Sequence, residues 1–292
     1  MRFFGIVIGT TLLATSVFAG FIERPTQAQR AKIGQQRWIW HNDATLEVQD
    51  PYWIAAKTRV SALLASGRPV LSPTVLLAGS PAKKQIALTF DDGPHQKWTN
   101  MLLDTLRACN VKGTFFLVGK QVRKFPNLAK AIAAGGHEIG NHSFSHATMS
   151  KLSLEDVMTD YLAQSLIIKD TLGFAPKVCR PPGGKCKRET EIAATALNMS
   201  TIFWTSDPLD YKLPGKNVVL SRMLEKLEPG AIFLLHSGSI DTIDCLPEFV
   251  KIAKSRGYTF VLASDMLPSK PNQTTTSGKS TAAQVAKKSQ TR

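Results

Sequence analysis

Ile86-Ala87-Leu88-Thr89-Phe90 runs directly into Asp91-Asp92-Gly93-Pro94, and that junction decides the fold. Five residues rich in apolar and β-branched side chains, bounded by turn formers, read as a buried strand with two carboxylates at its C-terminal end. The pattern recurs downstream. Short apolar runs at 114–118, 138–140, 177–180, 201–205, 231–235 and 258–262 alternate with amphipathic segments. The clearest helix starts at Ser153, with Asp156 three residues on as in a capping box, and places Leu154, Val157, Met158, Tyr161, Leu162 and Leu166 at helical spacing before Gly173. Others run from Pro126 to Gly135, and through Leu246, Phe249, Val250 and Ala253 to Gly257. Seven strands alternating with helices predict an α/β chain with parallel strands and right-handed crossovers, either a barrel or an open sheet.

The polar residues fall where such a fold would use them. Asp91 and Asp92 follow the first strand, His142 and His146 the third, Arg180 ends the fourth, Asp207 and Asp210 follow the fifth, and His236 follows the sixth. In a parallel α/β barrel the C-terminal strand ends share one face, so these groups converge on one cleft. Singly, each has a plainer reading. Asp91-Asp92-Gly93-Pro94 serves as a turn, the two histidines as a polar loop, Arg180 as the partner of a surface acid, and His236 as a hydrogen-bonded core residue. Their joint placement favours a site. Two imidazoles four residues apart lie on one face if helical, a recurrent metal clamp. With one aspartate they make a nitrogen and oxygen donor set suited to Zn²⁺ with an open position. A second carboxylate and a third histidine remain as candidate base and acid for metal-assisted hydrolysis of an amide or ester.

Composition bounds the rest. A chain of 292 residues with 43% hydrophobic and 20% charged residues is neither collagen, coiled coil nor wholly disordered, and has length for one or two domains. Only residues 3–22 form a long uncharged run, which excludes a multispanning membrane protein. With Arg2 before it, an apolar core to Leu13 and small residues around Val17-Phe18-Ala19, the segment 1–20 reads as an export signal, with a retained anchor as the alternative. The remainder is expected in the periplasm, at the cell surface or outside the cell. Residues 21–80 form a leader holding Trp38, Trp40, Tyr52 and Trp53, with a helix over 52–64 and its aromatics packed on the main domain of 81–267. The basic tail, 268–292, has too little to bury to fold. The net charge of +14 divides into excesses of +4, +5 and +5 over residues 1–80, 81–267 and 268–292. So even a spread, without a nucleic-acid motif, points to anionic wall polymers or lipid headgroups rather than nucleic acid, and to a monomer.

Five motifs in order now identify a resemblance. Thr89-Phe90-Asp91-Asp92-Gly93-Pro94, then 136–146 with His142-Ser143-Phe144-Ser145-His146, then Arg180-Pro181-Pro182-Gly183-Gly184, Asp207-Pro208-Leu209-Asp210-Tyr211 and Leu234-Leu235-His236 resemble the motifs of polysaccharide deacetylases, the NodB-homology domains of carbohydrate esterase family 4. The resemblance spans about residues 85–262. It implies a distorted (β/α) barrel of about seven parallel strands and one divalent ion, Zn²⁺ or a similar metal such as Co²⁺, bound by Asp92, His142 and His146. It implies Asp91 as general base, Arg180 holding Asp91 ionised, His236 protonating the departing amine, and Asp210 raising the pKa of His236. A backbone N–H near Gly183 would hold the oxyanion, Leu234 would line the acetyl pocket and Tyr211 the sugar groove, while His95 and His137 are left to structural roles. The implied substrate is an N-acetylated polysaccharide such as peptidoglycan or a chitin-like polymer.

Two positions depart from the family pattern. Gly183 stands where an aromatic is usual, and Tyr211 where Trp is common, so a wider groove admitting substituted glycans is expected. A catalytically silent glycan-binding module, a non-haem iron oxygenase and a hydrolase of imides or other non-sugar amides are the rival readings. Of the four cysteines, Cys109 is expected as a buried free thiol, and Cys179 with Cys186 as a bridge around the Arg180 loop, with Cys186 to Cys245 as the competing pair.

Overall fold

The computed structural model describes residues 49–67 and 74–268; the export segment, Trp38, Trp40 and the basic tail lie outside the described residues. Strand β2 (Gln85–Gly93) is the axis of the sheet. It pairs in parallel with β3 (Thr114–Leu117) on one side and β7 (Ile232–His236) on the other, while β8 (Thr259–Phe260) joins its N-terminal end. From β3 the sheet continues through β4 (Glu138–Asn141), β5 (Val178–Cys179) and β6 (Ser200–Ile202) to β1 (Val75–Leu76), always in parallel. Beyond β6 the chain returns to β7: the N–H groups of Thr205 and Ser206 donate to the Ile232 carbonyl at 3.0 and 3.2 Å, and Ser206 bridges Phe233. The sheet thereby curls into the distorted barrel expected. All seven expected strands form. β1 was not foreseen, because two residues in a Gly- and Pro-punctuated link carry no periodic signal; its Leu76 packs with Ala87, Phe116, Val178, Ile202 and Ile232 in one apolar cluster.

The helices are α1 (Pro51–Ala65), α2 (Thr99–Ala108), α3 (Gly119–Lys124), α4 (Pro126–Ala134), α5 (Leu154–Leu172), α6 (Arg188–Ala196), α7 (Lys216–Glu225) and α8 (Ile240–Ser255). Helix α5 begins at the expected cap, where Ser153 Oγ accepts the Asp156 N–H at 3.1 Å, and ends at Gly173 with φ of 86°. Helix α1 starts from Asp50, whose carboxylate accepts the Tyr52 N–H at 2.8 Å, with Pro51 in the first turn. Its Val60 joins Val157, Met158 and Tyr161 in a common core, and Tyr52 Oη donates to Asp170 at 2.7 Å. Trp53 is buried, so the described part of the leader does pack on the main domain. Among the described residues no helix is long and apolar enough to cross a membrane.

Candidate active site

Three donor atoms from two loops meet above the C-terminal ends of β2 and β4. His146 Nε2 lies 3.0 Å and His142 Nε2 3.3 Å from Asp92 Oδ1, and one donor atom from each residue falls within 4.8 Å of the others. The two histidines reach this arrangement without a helix. β4 ends at Asn141, and the chain folds back with Ser143 at φ of 68° and His146 at 63°; Asp92 stands at 70°. Such left-handed backbone is unfavourable for residues with a Cβ and persists where the surroundings impose it, often at functional sites. The helical clamp suggested by the four-residue spacing is therefore corrected to a tight loop. His142 Nδ1 lies 2.8 Å from the Arg180 carbonyl, an acceptor, so this nitrogen carries the proton and Nε2 presents its lone pair to the cluster. Burial opposes the ionised form of Asp92, yet the flanking His146 and His142 hold its carboxyl well below the usual carboxylate range. One anionic oxygen and two imidazoles fit a divalent ion such as Zn²⁺, with room left for a further ligand.

Beside this cluster, Asp91 Oδ2 lies 3.7 Å from His142 Nε2, and Asp91 Oδ1 accepts from Arg180 Nη1 at 2.8 Å. Arg180 is completely buried. Its remaining donors reach the Ile202 carbonyl, the Phe203 carbonyl and Thr89 Oγ1 at 3.0, 3.0 and 2.8 Å. Its guanidinium centre lies 4.3 Å from the Phe116 ring centroid and 5.5 Å from that of Trp204. The Phe116 ring occupies the space that a Cβ on Gly140 would take, which is why β4 carries glycine there. A buried guanidinium with its donors placed and rings beside it is a fixed cation, and it orients the Asp91 carboxyl beside the donor cluster.

Asp91 and His236 are register partners on adjacent strands β2 and β7. His236 Nδ1 donates to Asp210 Oδ1 at 2.7 Å, while Asp210 Oδ2 accepts the His236 N–H at 2.9 Å and the Thr242 hydroxyl at 2.6 Å. Burial alone would lower the pKa of His236; the Asp210 carboxylate, with Asp92 and Asp91 further off, raises it to about 10. Tyr211 is 46% exposed with its ring edge-on to His236 at 5.2 Å, and Leu234 is buried on β7. Asp207, also noted in the sequence, is exposed and caps its own turn by accepting the Leu209 N–H at 2.8 Å.

Gly183 has φ of 60°, and nothing lies within 4 Å of where its Cβ would be. The groove is open at that position. Gly184, at φ of 66°, lies directly on the Trp204 ring, an aromatic inside the expected 201–205 strand to which the sequence assigned no role. The cysteine expectation is corrected: all four are free thiols, and Cys109 is half-buried rather than buried. Three of the sulfurs have local partners, Cys179 facing Thr201 Oγ1 at 3.6 Å, Cys186 facing the Lys187 carbonyl at 3.6 Å and Cys245 the Thr242 carbonyl at 3.4 Å. Thr242 and Asp160 are supporting residues that the sequence did not reveal, since each stands beside other polar residues in an amphipathic helix; Thr89, inside an apolar strand, carried the one visible signal.

Known proteins resemble this chain in sequence and in fold. A family model described as polysaccharide deacetylase matches residues 78–202. A peptidoglycan-N-acetylglucosamine deacetylase of Bacillus cereus is 35% identical over 196 residues, covering 65% of this chain and 70% of that protein. A peptidoglycan-N-acetylmuramic acid deacetylase of Bacillus subtilis, PdaC, is 32% identical over 186 residues, covering 64% of this chain and 39% of that protein. Among solved structures, a peptidoglycan N-acetylglucosamine deacetylase bound to an N-oxidanyl-benzamide superposes with a TM-score of 0.66 at 34% identity, over 68% of this chain and 94% of that one. A family 4 carbohydrate esterase pseudoenzyme from Bacillus anthracis superposes with a TM-score of 0.65 at 31% identity, over 68% and 70%. With the barrel and the five motif loops in place, these likenesses establish that the chain belongs to the polysaccharide deacetylases, hydrolases of carbohydrate esterase family 4.

Proposed function

We propose that the chain removes acetyl groups from the N-acetylated sugars of a cell-wall polysaccharide, peptidoglycan in the first place, using a divalent metal, most simply Zn²⁺, held by Asp92, His142 and His146. The observation that carries this reading is the pairing across one cleft of an Arg180-held carboxylate and an Asp210-held imidazole, with the three-residue donor cluster beside them. When bound there, the ion would supply an electrophile that polarises the acetyl carbonyl and makes water more acidic.

The protein's own groups divide the remaining work. Asp91, oriented by Arg180, takes the proton from the attacking water as general base. The N–H groups of Gly184 and Lys185 already bond the carbonyls of Pro181 and Pro182, so the oxyanion donor in this loop is assigned to Gly183. His236, its Nδ1 proton engaged by Asp210, delivers the Nε2 proton to the departing sugar amine. Leu234 closes the pocket behind the acetyl methyl, and Tyr211 lines the groove as an exposed ring on which a sugar can stack. Asp207 takes no part in the chemistry.

The substrate is carried over from the named activities of the Bacillus cereus and Bacillus subtilis relatives, and it places the working enzyme outside the cytoplasmic membrane, in keeping with the export signal read at residues 1–20. The basic leader and tail would add attraction to anionic wall or membrane surfaces. A silent glycan-binding module is the second reading, favoured by the likeness to a pseudoenzyme. Acetate release from N-acetylated peptidoglycan, chito-oligomers and acetylated xylan, each with and without chelator, tests the proposal. Chelator-sensitive release from the N-acetylated substrates is expected; binding without release would establish the silent module instead.

A further inference from the structure

Between its two histidines the metal loop has no regular structure of its own, yet two of its residues hold left-handed backbone. Ser143 Oγ accepts the His146 N–H at 2.7 Å from within the loop, the Gly119 and Lys120 N–H groups of α3 donate to the Ser143 and Phe144 carbonyls at 2.9 and 3.1 Å, and further support comes from beyond α3. Helix α5 supplies that support through Asp160, a carboxylate with no exposed surface. Asp160 Oδ1 accepts the N–H of Phe144 and, at 3.0 Å, that of Ser145; Oδ2 accepts the Ser145 hydroxyl. Ser145 Oγ in turn accepts the Ala147 N–H at 3.1 Å. The same face of α5 secures the start of the loop: Asn141 donates to the Tyr161 carbonyl at 2.8 Å and to Ser165 Oγ at 3.0 Å, and its Oδ1 accepts the Ser143 N–H at 2.8 Å.

We propose that Asp160 is the positioning residue of the metal loop, fixing the backbone between His142 and His146 so that both imidazoles face Asp92 before any ion arrives. This rests on the reading that those three residues bind a metal. The hydrogen bonds of Asp160 all go to this one loop, while Lys120 adds electrostatic support beside it. A carboxylate buried for the fold alone could be exchanged for an apolar residue at little cost or some gain. Here the exchange would leave two backbone N–H groups of the loop buried without acceptors, and the loop would relax to satisfy them. A ligand set that must be reorganised on binding holds its ion more weakly, and lost supports of this kind typically cost about 10- to 100-fold in metal affinity.

The test is the dissociation constant for Zn²⁺, measured on the full chain by competition with a chelating dye, alongside circular dichroism and Tm. Asp160→Ala should weaken Zn²⁺ by at least about 10-fold. Asp160→Asn, which keeps an oxygen for the backbone donors, should recover most of that loss. Leu106→Ala, a buried truncation on α2, is the stability control: it lowers Tm but should leave Zn²⁺ affinity unchanged. Should Asp160→Ala not fold, Ser145→Ala removes only the two hydrogen bonds of Ser145 Oγ, to Asp160 Oδ2 and from the Ala147 N–H, and should weaken Zn²⁺ by roughly 10-fold. Wild-type affinity in folded Asp160→Ala or Ser145→Ala, or an equal loss in Leu106→Ala, would overturn the inference. A wild-type chain that binds no Zn²⁺ at all would overturn the metal reading beneath it.

Discussion

His236 at the cleft end of the barrel and His137 at the opposite end, just before β4, are both largely buried histidines, and their pKa values move in opposite directions. His137 is 8% exposed, accepts the Gly113 N–H at 3.2 Å and stands edge-on to Phe115. Burial, helped by nearby Lys112, lowers it to about 4. His236 meets burial too, but the carboxylate of Asp210 carries it to about 10. His95 sharpens the contrast, since it lies at the cleft rim just past β2 and is still lowered to about 4 by burial, with Lys97 adding to the shift. Neither burial nor position makes a histidine an acid; a carboxylate fixed against its Nδ1 does.

The contrast can be broken most severely at its catalytic pole. Asp91→Asn should retain bound metal while turnover falls by at least about 100-fold, as for a lost general base; metal content by mass spectrometry and acetate release read both arms, and undiminished turnover would remove Asp91 from that role. Asp210→Asn comes next. Without the carboxylate, His236 should behave like His137, its pKa dropping below its ordinary value, and acetate release at neutral pH should fall by about 10- to 100-fold as the acid is lost. NMR titration of the His236 ring follows the shift directly.

Much of the cleft was legible because its chemistry sits at or just beyond the C-terminal ends of strands that announce themselves by composition. Asp91-Asp92 after Phe90 and His236 after Leu235 needed only the strand ends to be placed correctly. What stayed hidden depended on contacts across the chain. The expected apolar face of the 153–173 helix holds for Val157, Met158 and Tyr161, but Asp160 and Gln164 are buried as well, because α1 covers one side of that helix while the metal loop and β4 take the other. A helix enclosed on both sides loses the polar face by which periodicity is read. The thiols were misjudged for a similar reason: sequence spacing between Cys179 and Cys186 says nothing of where each sulfur points.

A milder way to sharpen the contrast is stability against pH. His137 has a folded pKa of about 4, below its unfolded value near 6.5, so its contribution is complete above pH 6.5 and is lost as pH falls from there through 4. The loss is at most about 3 kcal/mol. His236 works in the opposite sense: its contribution is complete below 6.5 and is lost as pH rises through 10. Urea midpoints between pH 4 and 7 should therefore rise with pH in the wild type and less steeply in His137→Gln; parallel slopes would contradict the assignment. The smallest expected effect lies at Gly183. Gly183→Tyr has room for its side chain but imposes φ of 60° on a residue with a Cβ, so activity should fall modestly overall. The ratio of kcat/KM on linear chito-oligomers to that on peptide-substituted glycan should nevertheless rise by roughly 3-fold, the worth of one aromatic contact; an unchanged ratio would mean that Trp204 already serves as the wall.

The most direct test of the cleft as a metal-dependent deacetylase is acetate released from N-acetylated peptidoglycan by wild type and by His142→Ala, each before chelation, after chelation and after Zn²⁺ is restored. The wild type should release acetate, lose that activity to the chelator and regain it with Zn²⁺, while His142→Ala stays inactive in every state. Release by His142→Ala at the wild-type rate, or wild-type release that survives complete chelation, would contradict the assignment of Asp92, His142 and His146 as the centre on which the chemistry depends.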